Sequence, residues 1–477
     1  MKYKLLTLCL ILITIAASSN TVEMGMFGGT PSRNMVSDEK NLPETWDVKT
    51  GKNIKWSAKL GSQSYAGPVI LGGKVFVGTN NEGLRNPKLT GDRGNVMAFS
   101  ETDGKFLWQM AHPKLSAGRV NDWPLQGVCS TPAVEGDRMY YVSNRCELVS
   151  LDTEGFMDKE NDGPFTEEKE TGEIDGDIVW KYDMMEELDV FPHNLAASSP
   201  LIVGDLIFLI TGNGVDEGHI NIPSPKAPTF IAVNKKTGEL VWEDASPGEK
   251  ILHGQWSNPA YGVINGKPQV IFPAGNGWVY AFEPETGKPL WRFDLNPKDA
   301  VYELGGSGTR SYIIATPVVV NDHVFLGVGQ DPEHGEAPGH LYSIDATAGE
   351  GDITDKAATW HLGVDKFNRT LSTVAVHEGL VYAADLSGNV YCIDEKTGEV
   401  YWIYEAFAAI WGSPFVADGK VYVGDEDGDV AILRTGKTKQ LVAEINMGTA
   451  VYTTPVVHNG VMFIVTRENL YAIHKAD

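Results

Sequence analysis

One short pattern recurs along the chain and constrains its fold more than any other feature. The clearest copies are VYAFEPETGKPLW from Val279 and VYCIDEKTGEVYW from Val390, with further copies from Val96 and Phe230. In each copy, alternating apolar and polar residues predict a half-buried strand, and the central Thr-Gly predicts a tight turn. A second strand then ends on Trp, whose ring is large enough to wedge between neighbouring sheets.

A second pattern precedes each copy and supplies two more strands. STPAVEGDRMYYV from Ser130 and ATPVVVNDHVFLG from Ala315 are two of its eight examples. Each example predicts two strands joined by a hairpin that carries Gly or Asn. The two patterns together give eight units of four strands. We therefore predict an all-β fold, an eight-bladed β-propeller of four-stranded antiparallel blades.

The two ends of the chain share one unit between them. The last unit stops after LYAIHKAD and lacks its outer strand, whereas TWDVKTGKNIKWSAKL, residues 45–60, supplies a strand without a blade. We expect this N-terminal strand to complete the last blade, which removes exposed sheet edges. An open β-solenoid would not need to divide a repeat in this way. The propeller is therefore predicted over residues 45–477, after an extension at 20–44.

The first residues predict export. Lys2 and Lys4 precede an apolar run from Leu5 to Ala17, and small residues follow it. This run has the length of a signal-peptide core and is short for a bilayer span. We predict a cleaved signal peptide at 1–19, a periplasmic or secreted protein, and no membrane span in the mature chain. An uncleaved anchor is the alternative.

The net charge excludes some classes of partner, and the cysteine count limits the disulfides that can form. The formal net charge of -24 disfavours nucleic acid and anionic lipid as partners. The mature chain keeps Cys129, Cys146 and Cys392. An odd number leaves at least one thiol unpaired within the chain. Cys129 and Cys146 are the candidate disulfide pair, and whether they bond stays open, while Cys392 lies in a strand pattern and is predicted to be a small core residue.

Over about residues 45–477 these units resemble the pyrroloquinoline quinone (PQQ) repeat family, whose blades carry the same Asp, Thr-Gly and Trp pattern. The family includes two different groups. Quinoprotein alcohol and sugar dehydrogenases hold PQQ and a calcium ion on the propeller axis. Non-catalytic scaffolds include the propeller subunit of the outer-membrane β-barrel assembly machinery.

The resemblance to the dehydrogenases is uneven. LIFLITGNG places Asn213 where the family's calcium-binding asparagine stands, and GVCSTP places Cys129 where the dehydrogenases carry two adjacent cysteines. Ser130 follows Cys129 here, so that adjacent pair cannot form. The stretch that matches the catalytic aspartate, residues 250–262, contains no carboxylate, and residues 191–201 lack the tryptophan on which the quinone stacks.

Strand order places most long insertions on one face of the ring, which we call the long-loop face. Rigid scaffolds usually carry binding sites on such loops. His193, His219 and His253 are predicted there, on loops of adjacent blades, at one end of the channel together with Asn213, Asp216 and Glu217. The histidines, with Asn213, are candidates for a metal or small-ligand site. The alternative is polar loop histidines bonded to the backbone.

Two arginines fall in the same set of loops. Arg119 and Arg310 are candidates, with Asn213 and Cys129, for holding a cofactor or an anionic ligand. The alternative for each arginine is an ordinary salt bridge.

One acidic insertion, residues 153–177, belongs to the opposite face. Asp158, Glu160 and Asp162 stand at alternate positions before Gly163, as in a calcium-binding loop. The template requires Glu at its last position, where this chain has Lys169. A solvated acidic loop is the alternative.

These observations predict a ligand-binding or protein-interaction scaffold, with cell-envelope assembly as one such role. Its partner would be an envelope protein or a small ligand at the long-loop face. The alternative function is a quinoprotein oxidoreductase, a PQQ- and calcium-dependent alcohol or sugar dehydrogenase.

Overall fold

The structure is a computed structural model that describes residues 24–305, 308–331, 335 and 337–475. The predicted signal peptide at 1–19 lies outside the described residues. The strands that come first in the chain belong to the extension and to the closing blade: β1 (Met24–Gly25), β2 (Val36–Ser37) and β3 (Ile54–Lys59).

The first four blades follow in chain order. Blade one contains β4 (Val69–Leu71), β5 (Lys74–Asn80), β6 (Arg93–Ser100) and β7 (Phe106–Pro113). Blade two contains β8 (Ala133–Glu135), β9 (Arg138–Val142), β10 (Glu147–Asp152) and β11 (Ile178–Asp183), and helix α1 (Met184–Leu188) follows it. Blade three contains β12 (Leu201–Val203), β13 (Leu206–Ile210), β14 (Phe230–Asn234) and β15 (Leu240–Asp244). Blade four contains β16 (Ala260–Ile264), β17 (Lys267–Pro273), β18 (Trp278–Phe282) and β19 (Pro289–Asp294).

The other blades repeat this plan. Blade five contains β20 (Val318–Val320), β21 (His323–Val328), β22 (His340–Asp345) and, after β23 (Gly351–Asp352) and α2 (Thr354–Ala357), β24 (Ala358–Leu362). Blade six contains β25 (Ala375–His377), β26 (Leu380–Ala384), β27 (Asn389–Asp394) and β28 (Val400–Glu405). Blade seven contains β29 (Phe415–Ala417), β30 (Lys420–Gly424), β31 (Asp429–Arg434) and β32 (Leu441–Asn446). Blade eight contains β33 (Val456–His458), β34 (Val461–Val465) and β35 (Asn469–Ile473), with β3 as its fourth strand. Short 3-10 helices lie at Gly155–Met157 and Gly248–Lys250.

The predicted closure of the ring is confirmed. β3 pairs antiparallel with β35, and Trp56 stands opposite Ala472 while Ser57 stands opposite Tyr471. The eighth blade therefore takes strands from both ends of the chain. Among the described residues, no helix combines the length and apolarity that a bilayer crossing requires.

The repeated Trp and Gly form a contact between neighbouring blades. Trp360 in blade five donates its indole N–H to the carbonyl of Glu395, in the Thr-Gly turn of blade six, at 2.8 Å. A Cβ on Gly398 of that turn would lie 2.8 Å from Cγ of Trp360. Trp180 and Gly238 repeat this arrangement between blades two and three. The pattern therefore joins neighbouring blades, and at Gly238 and Gly398 the turn needs Gly because the indole occupies the space of a side chain.

A belt of side-chain hydrogen bonds surrounds the axis. It uses the residue before proline in the Ser/Thr-Pro patterns. Gly67 N–H donates to Thr131 Oγ1 at 2.8 Å, Thr131 N–H to Ser199 Oγ at 3.0 Å, and Ser413 N–H to Thr454 Oγ1 at 3.0 Å. These bonds tie blade one to blade two, blade two to blade three and blade seven to blade eight at their innermost strands.

The N-terminal extension crosses the axis as a strap, residues 24–44. β1 pairs with β8 of blade two, and β2 pairs with β29 of blade seven. Between these strands Arg33 is fully buried and donates to the carbonyls of Phe27, Ser199, Pro200 and Pro259 at 2.7–3.1 Å. Burial lowers the pKa of Arg33 to about 9.

The strap lies at the end of the channel away from the long loops. Its Glu39 accepts from the backbone N–H of Gly460, in a hairpin between the first and second strands of a blade. Such hairpins share a face with the Thr-Gly turns. The strap therefore covers the channel on the turn side.

Candidate functional site

Three histidines from separate loops meet on the long-loop face. His193 lies between α1 and β12, His219 lies in the loop between β13 and β14, and His253 lies between β15 and β16. His219 Nε2 is 3.2 Å from His193 Nε2 and 3.2 Å from His253 Nε2. Among the described residues, these three side chains form a group whose ligand atoms lie within 4.8 Å of one another.

The Nδ1 atoms of His193 and His253 are held by acceptor groups. His193 Nδ1 is 2.8 Å from the carbonyl oxygen of Val215. His253 Nδ1 is 3.1 Å from the hydroxyl of Tyr312 and 3.3 Å from Oδ2 of Asp331. The Tyr312 hydroxyl also donates to the Asp331 carboxylate. Two of the three rings are therefore fixed in orientation, with Nε2 directed into the cluster.

The cluster is largely removed from water. His193 is 2% exposed and His253 is 3% exposed, whereas His219 is partly exposed. Burial lowers the pKa of His219, and the neighbouring His253 lowers that pKa further. These surroundings favour neutral imidazole at His219, the form that binds metal ions.

A cavity of about 660 Å³ lies on the axis, between the strap and the long loops. Tyr65, Trp411 and Tyr452 form one aromatic part of its wall, with the two tyrosine rings stacked at 5.1 Å. Thr131 and Ser199 of the hydrogen-bonded belt line it too. The indole Nε1 of Trp411 is buried and meets no acceptor among the described residues.

The sequence analysis placed the three histidines at one end of the channel. In the structure the cluster lies beside the axial cavity and is not part of its wall. Within the described residues, the wall next to the cluster is made by Asn194, Leu195, Trp256 and Asp331. Trp256 separates the two features, because its indole N–H donates to the backbone of His193 at 3.1 Å and its ring lies 5.2 Å from that of His253.

Asn213 has a structural setting next to the histidines. Its amide oxygen accepts from Phe191 N–H at 3.0 Å, and its amide nitrogen donates to the carbonyl of Ser224 at 2.8 Å. The side chain thereby ties two loops together. Asn213 is also fully buried, so a calcium ion could reach its amide oxygen only if these loops moved.

Both predicted arginines form ion pairs. Arg119 is largely exposed and pairs with Glu217 at 2.6 Å, with its guanidinium 5.1 Å from the ring of Trp123. Arg310 is mostly buried, pairs with Asp294 at 2.7 Å and donates to the carbonyl of Asn276. Both arginines therefore form ordinary salt bridges, which the sequence analysis gave as the alternative.

The three described cysteines are free thiols, so the candidate pairing of Cys129 with Cys146 is wrong. Cys129 lines the axial cavity with its thiol 3.7 Å from the carbonyl of Gln126, whereas Cys146 contacts the carbonyl of Thr211 at 3.4 Å. Burial raises the pKa of Cys129 to about 12. Cys392 is buried in β27, as predicted for a core residue.

The acidic loop on the opposite face gives its carboxylates other partners. Asp158 accepts from the backbone N–H of Glu160 at 2.9 Å, and Asp162 lies 3.4 Å from Arg138. Among the described residues, Asp158, Glu160 and Asp162 do not converge as the histidines do. Calcium binding there stays a prediction from the sequence.

Sequence reasoning missed the groups that surround the two features. Tyr312 and Asp331 were not singled out, although both lie in long-loop insertions. Trp411 was not recognised as a cavity residue, since it follows a blade without belonging to the repeated Trp position. The Ser/Thr-Pro patterns could have indicated a belt around the axis, because they recur at the same place in each unit.

Comparison with known proteins agrees with this architecture. The family model described as outer membrane protein assembly factor BamB matches residues 171–350 and 275–477. BamB of Moranella endobia is 23% identical over 84% of this chain and 84% of its own length. BamB of Yersinia pestis is 22% identical over 61% of this chain, which spans 64% of that relative's length.

Solved structures show the same fold in proteins of both groups. BamB from Moraxella catarrhalis superposes with a TM-score of 0.54 at 16% identity, over 88% of this chain and 96% of its own. A europium-containing methanol dehydrogenase superposes with a TM-score of 0.61 at 13% identity, over 94% of this chain and 97% of its own. From the family match and the eight closed blades together, the chain belongs to the PQQ-repeat β-propeller family represented by outer membrane protein assembly factor BamB.

Proposed function

We propose that this chain is an exported binding scaffold that holds a small ligand in its axial cavity. The observation that carries the proposal is the buried indole N–H of Trp411, which faces no acceptor among the described residues. A buried donor without a partner costs about 1–3 kcal/mol. A ligand acceptor that meets this N–H through a small shift of the indole would recover that free energy.

The cavity wall indicates the chemistry of the ligand. Tyr65, Trp411 and Tyr452 offer flat apolar surface, and the belt hydroxyls offer polar contacts. Mostly apolar walls with a few fixed polar groups are typical of small-molecule sites. We therefore expect a flat ligand with at least one hydrogen-bond acceptor. Because the strap covers the turn side, the ligand would enter from the long-loop face.

The same scaffold would serve in the cell envelope. The predicted signal peptide supports export, and the BamB relatives are named as outer membrane assembly factors. Long loops gathered on one face form a surface suited to binding an envelope protein. In this proposal the partner binds the long-loop face and the small ligand lies beneath it.

The second candidate is a PQQ- and calcium-dependent dehydrogenase, and the axial cavity favours it. Its aromatic wall is compatible with a flat quinone. The calcium half of the site fits poorly, because Asn213 is fully buried and its side chain already ties two loops together through Phe191 and Ser224. Residues 250–262 also lack a carboxylate to accept the alcohol proton. We therefore rank this candidate second and derive no reaction step from it.

Titration of the mature protein with PQQ, with and without Ca²⁺, tests both candidates. We expect saturable quenching of tryptophan fluorescence that Trp411→Phe weakens, and no reduction of an electron-accepting dye with alcohols or sugars. Trp278→Phe is the matched control, since Trp278 lies beneath Arg292 in blade four, away from the cavity wall. Dye reduction would favour the dehydrogenase. Binding that Trp411→Phe leaves unchanged would contradict the proposed cavity site.

A further inference from the structure

Two of the three distances between the histidine nitrogens match the geometry of a bound metal ion. Two ligands of a tetrahedral zinc ion, each about 2.05 Å from the metal, lie about 3.3 Å apart. His219 Nε2 stands 3.2 Å from each of the other two Nε2 atoms. Three nitrogens within 4.8 Å of one another can therefore be reached by one ion with little movement.

The positions of the protons on the His193 and His253 rings also support metal binding. The carbonyl of Val215 can only accept, so His193 Nδ1 must carry the proton that it shares with that oxygen. The Asp331 carboxylate, 3.3 Å from His253 Nδ1, requires a proton there too. In neutral imidazole a protonated Nδ1 leaves Nε2 with its lone pair, and both lone pairs face the cluster. Metal-binding histidines are usually oriented by such partners.

We propose that His193, His219 and His253 bind one divalent transition-metal ion of the Zn²⁺, Cu²⁺ or Ni²⁺ class through Nε2. The donors are imidazoles, which suit these metals, whereas Ca²⁺ and Mg²⁺ prefer oxygen. Tyr312 and Asp331 act as positioning residues that hold the ring of His253. The site is separate from the axial cavity, with Trp256 between them.

Bound metal would join three long loops. His219 adopts a left-handed backbone conformation, with φ of 55°, at the tip of the loop between β13 and β14. The loops of His193 and His253 enter blades three and four. A shared ion fixes these three segments relative to one another, and so orders the surface that we assign to partner binding.

Calorimetric titration of the chelator-treated mature protein with Zn²⁺ tests the proposal. We expect one ion per chain, and His219→Ala to weaken binding by more than about 100-fold, since loss of an orienting partner alone costs 10–100-fold. Tyr312→Phe should weaken binding by about 10-fold at unchanged stoichiometry. His361→Ala is the matched control, because His361 Nε2 lies 3.0 Å from His340 Nδ1 in blade five, outside the cluster of three.

A second measurement distinguishes loss of a metal-binding side chain from loss of the folded structure. Cu²⁺ bound to the wild-type protein should show nitrogen hyperfine splitting in its electron paramagnetic resonance spectrum, and His219→Ala should change it. The metal-free variant should melt at the temperature of the metal-free wild type. Absence of stoichiometric binding, or binding that His361→Ala abolishes and His219→Ala does not, would overturn the proposal.

Discussion

The contact between Trp360 and Gly398 makes a quantitative prediction about how blades are joined. A Cβ at Gly398 would lie 2.8 Å from Cγ and 3.0 Å from Cβ of Trp360, close to the root of that side chain. The indole cannot turn away without losing its hydrogen bond to Glu395. Gly379, in the same blade, offers a control. Its φ of +77° is close to the +73° of Gly398, but nothing lies within 4 Å of its Cβ position.

The two substitutions to Ala separate backbone strain from steric overlap. Gly379→Ala carries the left-handed backbone strain alone, about 1 kcal/mol. Gly398→Ala carries the same strain and adds overpacking of about 1–3 kcal/mol. We therefore expect Gly398→Ala to reduce the free energy of unfolding by about 2–4 kcal/mol.

Urea unfolding followed by circular dichroism measures the difference. A Trp360→Ala background isolates the contact, because there Gly398→Ala should cost no more than Gly379→Ala. Equal destabilisation by the two substitutions in the native background would refute the argument that the indole occupies the glycine's side-chain space.

Three further predictions concern closure, thiols and pH. A chain that begins at Gly61 lacks β3, leaves the outer edge of β35 without a partner strand and should self-associate in size-exclusion chromatography. A chain that begins at Thr45 keeps β3 and should stay monomeric. A monomeric shorter chain of unchanged stability would contradict the closure. Ellman's reagent should find three thiols in the denatured mature protein and react slowly with the native one. Cys146 and Cys392 are buried, and burial raises the pKa of the partly exposed Cys129 to about 12. Fewer than three thiols would indicate a disulfide. Burial lowers the pKa of His112 to about 4 from an ordinary value of 6.5. As the pH falls from about 6.5 to 4, the unfolded chain binds a proton at this position before the folded one does, so the folded state loses stability. His112→Gln should flatten the dependence of unfolding free energy on pH in this range, and an unchanged slope would count against the assignment.

The repeats made most of the fold predictable. Alternation and Thr-Gly turns located the strands because each unit repeats the same local signals, and the incomplete last unit revealed the role of β3. The strap was not predictable, because Arg33 is held by carbonyls of Ser199, Pro200 and Pro259, which are distant in sequence and carry no pattern.

The face of the ring that carries the candidate site was predictable from the sequence, but the arrangement of its side chains was not. Strand order brought His193, His219 and His253 to one face, yet ligands on three separate loops have no fixed spacing, so their convergence appears only in three dimensions. Assignment of Asn213 by resemblance could not reveal that Phe191 N–H donates to its amide oxygen. Residues such as Tyr312 become relevant only through the ring that they orient.

Anomalous diffraction at the zinc absorption edge, from crystals of the mature protein grown with Zn²⁺, tests the proposed metal centre most directly. We predict one strong peak per chain, about 2 Å from the Nε2 atoms of His193, His219 and His253. A crystal with fully ordered histidines and zinc bound elsewhere, for example between His340 and His361, would contradict it.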